Sequence, residues 1–314
     1  MNDIARTPLG RTGLSVTRLG YGAMELRGPR GSIGRAVDRD EARKLLNGVL
    51  DAGINFIDTS PDYGDSEEII GEAISARRDE FFLASKCGCP VASGATATAA
   101  GPAAHDYTRE NIRAGVEQSL RRMKTDHLDL VQIHISPSRE ELERRGSMAE
   151  LEALRNEGKI RFIGMSGTLP NLPDHLAMGC FDAFQIPYSA IEPEHEDWIS
   201  RAADAGAGTI IRGGVARGIP QAREASLERL PERFRHVFRQ RYDLWQAANL
   251  EPLLEGMSKM EFMLRFTLTH AALCTTIVGT ANVKHLGDNV TAARKGPLPG
   301  DLYAEAKRRI EEAR

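Results

Sequence analysis

The chain is expected to fold as a closed barrel of eight parallel strands, each followed by a helix. Short β-type runs alternate with amphipathic helical patterns from one end to the other, at residues 18–22, 54–58, 81–85, 128–134, 162–166, 183–187, 208–212 and 275–279. The runs are brief and mostly apolar, as strands are when helices cover the sheet. Their number, eight βα units in one chain, favours a (β/α)8 TIM barrel over an open doubly wound sheet. With no low-charge linker and no internal repeat in 314 residues, one domain spanning 1–314 is expected.

Taken in order, residues 7–16 (TPLGRTGLSV) read as a hairpin preceding the first barrel strand. Residues 40–52 place Ala42, Leu45, Leu46, Val49 and Leu50 on one helical face, and Gly53 stops that helix. Residues 109–123 do the same with Ile112, Val116, Leu120 and Met123, while helices over 148–157 and 194–205 end at Gly158 and Gly206. Two segments break the rhythm. Residues 88–104 form a small-residue loop after the third run, and residues 213–250 follow the seventh and carry Arg217, Arg223, Arg229, Arg233, Arg235, Arg239 and Arg241. Long insertions after barrel strands are where substrate loops sit; a solvated helix face is the plainer reading of the arginines.

A net charge of −3 supplies no basic field for nucleic acid or an anionic membrane, and no apolar run reaches the length of a membrane span. The start, MNDIARTPLGRTG, lacks the apolar core of a signal peptide, and four cysteines in a chain this long are not a disulfide framework. A cytoplasmic protein with a small-molecule partner is expected; the oligomeric state is not legible.

Barrel active sites lie at the carboxyl ends of the strands. Those ends carry Asp58, Lys86, His134, Ser166, Gln185 and Arg212, and Tyr63 lies in the loop after Asp58. A free phenol, with a pKa near 10, is a poor proton donor at neutral pH. A nearby ammonium favours the phenolate, and a buried carboxylate keeps that ammonium charged and in place. A histidine beside the phenol can polarise a carbonyl oxygen. The set makes a general acid aimed at a carbonyl. With no nucleophilic Ser–His pattern and no dedicated metal cluster in the sequence, a bound hydride donor completes the chemistry. Cys87-Gly88-Cys89 is a lone C-x-C, a weak zinc signal without a second pair, and inert thiols are the simpler reading.

The segments GINFIDTSPDYGDSEEIIGEAI, FFLASKCG, HLDLVQIH, IRFIGMSG, FDAFQIPYS and TTIVGTANVKHLGDNVTAA, in this order and spacing, resemble the aldo-keto reductase family over nearly the whole chain. The resemblance implies a (β/α)8 barrel that binds NADPH, sometimes NADH, without a Rossmann domain, and that transfers hydride to aldehydes and ketones. It implies Tyr63 as general acid, Lys86 and Asp58 as the pair that tunes it, and His134 as the carbonyl-orienting group. It also implies nicotinamide contacts from Ser166 and Gln185, with Gly167 standing where the family usually has asparagine. On the seventh strand Arg212, Gly213 and Gly214 depart from the family pattern; bare backbone amides there suit a pyrophosphate, and Arg212 suits the same group or the substrate. After the eighth strand, Gly279 and Thr280 open a helix in which Asp288-Asn289 resemble an adenine-contacting pair. Thr280 and His285 fall where a 2′-phosphate is held, which favours NADPH with NADH as the alternative.

Two other functions compete. A Schiff-base aldolase would use Lys86, but its lysine must be neutral and Asp58 would keep it charged. A cofactor-binding sensor or regulatory protein with little turnover would not need Asp58, Tyr63, Lys86 and His134 together.

Overall fold

The computed structural model describes residues 3–28, 37–91, 104–222 and 232–314. Most of the 88–104 loop, together with Arg223, Arg229 and the side chain of Arg233, lies outside the described residues. Strands β1 (Arg6–Pro8) and β2 (Ser15–Thr17) form the N-terminal hairpin, Arg6 opposite Thr17 and Pro8 opposite Ser15. The barrel strands are β3 (Leu19–Gly22), β4 (Phe56–Asp58), β5 (Phe82–Cys87), β6 (Leu128–Ile133), β7 (Ile160–Ser166), β8 (Ala183–Pro187), β9 (Gly208–Arg212) and β10 (Thr275–Val278). All pair in parallel, and β10 closes the ring between β9 and β3.

The expected runs at 183–187 and 208–212 coincide with β8 and β9, and the others shift by one or two residues for identifiable reasons. β4 starts at Phe56 because Asn55 is drawn to the hairpin: its Nδ2 donates to Ser15 O at 2.8 Å and its Oδ1 accepts from Thr17 N at 2.7 Å. β5 runs on through Lys86, which pairs in register with Gln132, so the lysine sits within the strand and not after it.

The helix Arg39–Asp51 buries Ala42, Leu45, Leu46, Val49 and Leu50 as its periodicity predicts, and the Asp38 carboxylate caps it by accepting from the amides of Asp40 and Glu41. Thr108 caps the helix Arg109–Met123 in the same way. That helix packs so closely on Ser66–Ile74 that a Cβ at Gly71 would lie 2.2 Å from the Arg122 carbonyl. In the 213–250 segment, the helix Glu232–Ala247 anchors itself through fully buried Trp245. Its arginines are only partly a solvated face: Arg239 pairs with Asp243 along the helix, whereas Arg241 pairs with half-buried Glu192.

Two apolar layers result. The larger lies between the sheet and the helices; the smaller fills the barrel with Phe56, Ala84, Leu130, Ala183 and Ile210, and hairpin residues Leu9, Leu14 and Val16 close it from below. Strand side chains alternate, so the residue two positions further on points the same way. Two positions beyond those five strand residues stand Asp58, Lys86, Gln132, Gln185 and Arg212. The barrel therefore carries a polar layer directly above its apolar plug, toward the carboxyl ends of the strands.

Candidate active site

Asp58 is the hub of that layer. Its Oδ2 accepts from Lys86 Nζ at 2.7 Å, and its Oδ1 accepts from Gln132 Nε2 and from Gln185 Nε2, each at 2.8 Å. Lys86 also donates to the Thr59 carbonyl at 2.8 Å. Both charges are almost fully removed from water, with side-chain exposures of 0% for Lys86 and 2% for Asp58. Burial by itself disfavours the ammonium, but Asp58 and Tyr63 outweigh it and raise the Lys86 pKa above the ordinary lysine value. Gln132 reaches Asp58 because position 164 on the neighbouring strand is glycine: a Cβ there would stand 3.0 Å from Gln132 Cγ. Gln132 went unnoticed in the sequence, although it lies within the run that ends at His134, two residues before it.

Tyr63 sits in a turn fixed by its own backbone. Its amide donates to Ser60 O at 3.0 Å, and its carbonyl accepts from Ser66 N at 2.9 Å as the next helix begins. Ser66 Oγ in turn donates to Ala23 O at 2.9 Å and meets Thr59 Oγ1 at the same distance, tying the turn to the first barrel strand. The Lys86 ammonium lies 5.0 Å from the centre of the Tyr63 ring. His134 meets that ring edge-on, with centroids 6.2 Å apart and planes at 83°. The four predicted catalytic side chains thus converge, two of them from β4 and β5 and two from the loops that follow β4 and β6.

Burial, with the Lys86 charge adding to it, pushes the His134 imidazole down to about 4 against the opposing pull of Asp62. At neutral pH the ring is therefore an uncharged hydrogen-bonding group. Its Nδ1 faces Asp62 Oδ2 at 3.2 Å, His105 Nε2 at 3.3 Å and Cys89 Sγ at 3.5 Å. Burial would raise the Asp62 pKa, but the two histidines outweigh it and hold this carboxyl below the usual range. Burial drives the Cys89 thiol well above its ordinary value. Asp62 and His105 escaped sequence reading because the fold, not their spacing, brings 62, 89, 105 and 134 together.

The residues assigned to cofactor binding divide into groups. Ser166 is buried at the end of β7, and Gln185 commits its amide nitrogen to Asp58, leaving Oε1 as its remaining group. At Gly167, where the family usually has asparagine, a Cβ would meet Leu172 Cδ1 at 2.8 Å, so a side chain there requires Leu172 to shift. Gly213 has φ +76°, and a Cβ at Gly214 would meet Thr276 Oγ1 at 2.7 Å, so this turn stays bare. Arg212 lies beside Glu192 and Tyr63; burial lowers its pKa against the pull of both. Glu192 likewise passed unnoticed, and burial raises its pKa despite Arg241 and Arg212.

After β10, Gly279 packs against the Gly22 carbonyl, and Thr280 Oγ1 accepts from Asn282 N at 3.0 Å before the helix Val283–Lys295. Exposed Lys284 and His285 stand in its first turn, with Asp288 and Asn289 further along. A basic first turn at a positive helix end matches an anionic group. Ile135, Leu169 and Val283, in segments that follow β6, β7 and β10, expose large apolar side chains along the same rim. An apolar rim, bare glycine amides and a basic helix end fit a nicotinamide dinucleotide in its three chemical parts.

Comparison with known proteins identifies the family. The model of the Aldo/keto reductase family matches residues 18–310. An uncharacterised oxidoreductase, YqkF, of Bacillus subtilis is 26% identical over 292 residues, covering 91% of this chain and 90% of its own. L-galactose dehydrogenase of Arabidopsis thaliana is 27% identical over 305 residues, covering 93% and 89%. The holo form of aldo-keto reductase AKR11C1 from Bacillus halodurans superposes with a TM-score of 0.77 at 26% identity, covering 99% of this chain and 96% of that one.

Proposed function

We propose that this chain, which belongs to the aldo/keto reductase family, reduces the carbonyl of a small aldehyde or ketone with Tyr63 as proton donor. The observation that carries the reading is the buried Asp58–Lys86 pair at 2.7 Å with its ammonium 5.0 Å from the Tyr63 ring. The family uses NAD(P)H, and the bound nicotinamide supplies hydride to the carbonyl carbon. Ser166, Gly167 and the free end of Gln185 would hold its carboxamide. Arg212, Gly213 and Gly214 would face the pyrophosphate, and Gly279, Thr280, His285, Asp288 and Asn289 the adenosine end.

Tyr63 releases its phenolic proton to the carbonyl oxygen as charge develops there. The Lys86 ammonium favours the phenolate left behind, and Asp58, held by two amides, keeps Lys86 charged and stationary. Neutral His134 orients the oxygen without competing for the proton. An ammonium held in this way is no Schiff-base nucleophile, which argues against the aldolase reading. Hydride transfer is reversible, and a relative named L-galactose dehydrogenase supports an aldose as the reduced partner.

The test is a panel of aldehydes, ketones and aldoses with NADPH, NADH and the oxidised forms, followed by nicotinamide absorbance. Tyr63→Phe is expected to lose about 10²–10⁴-fold in kcat while still binding cofactor. Near-normal turnover by that variant would remove Tyr63 from its role, and cofactor binding with no turnover of any partner would favour a sensor.

A further inference from the structure

We propose that Asp62, Cys89, His105 and His134 form a four-coordinate Zn²⁺ site beside the barrel mouth. The donor atoms are Asp62 Oδ2, Cys89 Sγ, His105 Nε2 and His134 Nδ1, all within 4.8 Å of one another. Four of the edges between them are defined: 3.1 Å for His105–Asp62, 3.2 Å for His134–Asp62, 3.3 Å for His105–His134 and 3.5 Å for Cys89–His134. Zinc bonds of about 2.0–2.1 Å to nitrogen and oxygen set tetrahedral edges of about 3.3–3.4 Å, and a bond of about 2.3 Å to sulfur sets nitrogen–sulfur edges of about 3.5–3.6 Å. The four observed edges lie within about 0.2 Å of those values.

Hydrogen bonding alone accounts poorly for this arrangement. If both imidazoles donated to Asp62 Oδ2, their two N–H groups would converge on one oxygen with the nitrogens only 3.3 Å apart. His134 Nδ1, already protonated, would then have no lone pair left for the Cys89 thiol 3.5 Å away, leaving the thiol to the long contact with Ser60 Oγ at 3.6 Å. A cation at the centre relieves the crowding of the two N–H groups and gives Cys89 Sγ and His134 Nδ1 a common partner, because every atom then presents a lone pair. One thiolate, two imidazoles and a carboxylate select zinc over magnesium, calcium or manganese.

The surrounding contacts hold the donors in place. Asn111 Nδ2 donates to Cys89 O at 3.1 Å and to Asp106 O at 2.7 Å, fastening the Cys89 segment to the one that carries His105. Tyr107 donates to the His134 carbonyl at 2.6 Å, and its ring stacks on His105. Such outer contacts orient metal ligands.

With all four positions taken by protein atoms, the ion is structural and leaves no vacancy for substrate. Binding releases the Cys89 thiol proton and any proton on the ligating nitrogens to solvent. It joins the loops after β4, β5 and β6 to the segment before the helix Arg109–Met123. Metallation of His134 Nδ1 also leaves that ring's one proton on Nε2. The site stands whether or not Tyr63 protonates a carbonyl, because its four atoms do not include the phenol.

The test uses the full chain with any affinity tag removed. Zinc is measured by mass spectrometry after gel filtration, and Zn²⁺ is titrated against a chromogenic chelator. One equivalent per chain is expected. Cys89→Ser and His105→Ala are each expected to weaken binding by at least about 100-fold, beyond the cost of an outer-contact change. The Co²⁺-loaded chain is expected to show the visible bands of a tetrahedral site and a thiolate charge-transfer band that Cys89→Ser abolishes. Because Cys89 is buried, His105→Ala is the second arm, and circular dichroism verifies that both variants are folded. No tight zinc in the wild-type chain, zinc retained at full affinity by a folded variant, or a cobalt spectrum without thiolate character would each overturn the site.

Discussion

Separate neutralisation of Asp58 and Lys86 is expected to dissociate stability from activity. The two charges stand 2.7 Å apart with almost no solvent access. At an effective dielectric near 20 their attraction is of order 6 kcal/mol, most of it offsetting the cost of taking both out of water. Lys86→Met leaves Asp58 with two neutral amide donors and no counter-charge; Asp58→Asn leaves a buried ammonium facing a neutral amide. Each single change is therefore expected to cost about 3–5 kcal/mol. The double variant carries no buried charge at this point and is expected to recover most of that loss. Lys86→Met and the double variant place no cation beside the phenol, and Asp58→Asn strips the Lys86 ammonium of the carboxylate that keeps it charged and in place, so all three are expected to lose turnover. Urea unfolding with an unchanged m value gives the stabilities, and nicotinamide absorbance gives the rates. A double variant no more stable than the worse single one, or turnover surviving without Lys86, would refute the reasoning.

Three more outcomes follow from the same structure. His285→Ala is expected to raise the KM for NADPH about tenfold, the loss of one charge-assisted contact, and to leave that for NADH unchanged; equal losses would take His285 out of the phosphate site. Gly71→Ala, which drives a Cβ into the Arg122 carbonyl 2.2 Å away, is expected to cost at least about 1–3 kcal/mol with kcat intact, as thermal melts and rates would show. The folded-state pKa of Lys86 is raised, so its stabilising contribution is fully present below the unfolded lysine value and lost as pH rises through the folded one. The difference in melting temperature between wild type and Lys86→Met is thus expected to stay level through the neutral range and to shrink only in strong alkali.

Strand positions were largely legible because a parallel barrel writes each strand as an apolar run closed by a polar residue. β8 and β9 coincide with their runs, and β4 starts later than its run only because Asn55 is taken by the hairpin. Asp58, Lys86 and His134 were legible for the same reason, each lying within one residue of a strand end, and Tyr63 stands in the loop that Asp58 opens. Gln132 and Glu192 were harder to find. One lies inside an apolar strand, and the other acquires its significance from partners on distant elements, Arg212 and Arg241. Asp62 and His105 belong to loops, whose mutual approach no local pattern encodes. Gly167 is instructive in another way: the departure from asparagine was visible, but the matching contact, Leu172 Cδ1 at 2.8 Å from where a Cβ would stand, lies in packing.

The central claim is that Tyr63 gives its proton to a carbonyl while a nicotinamide reduces it. It is tested most directly by following NADPH and NADH absorbance with the carbonyl panel in wild type and in folded, cofactor-binding Tyr63→Phe. Oxidation of the cofactor matched by alcohol formation in the wild type, and lost by about 10²–10⁴-fold in the variant, is the predicted result. Cofactor that stays reduced with every carbonyl, or a variant that keeps pace with the wild type, would contradict it.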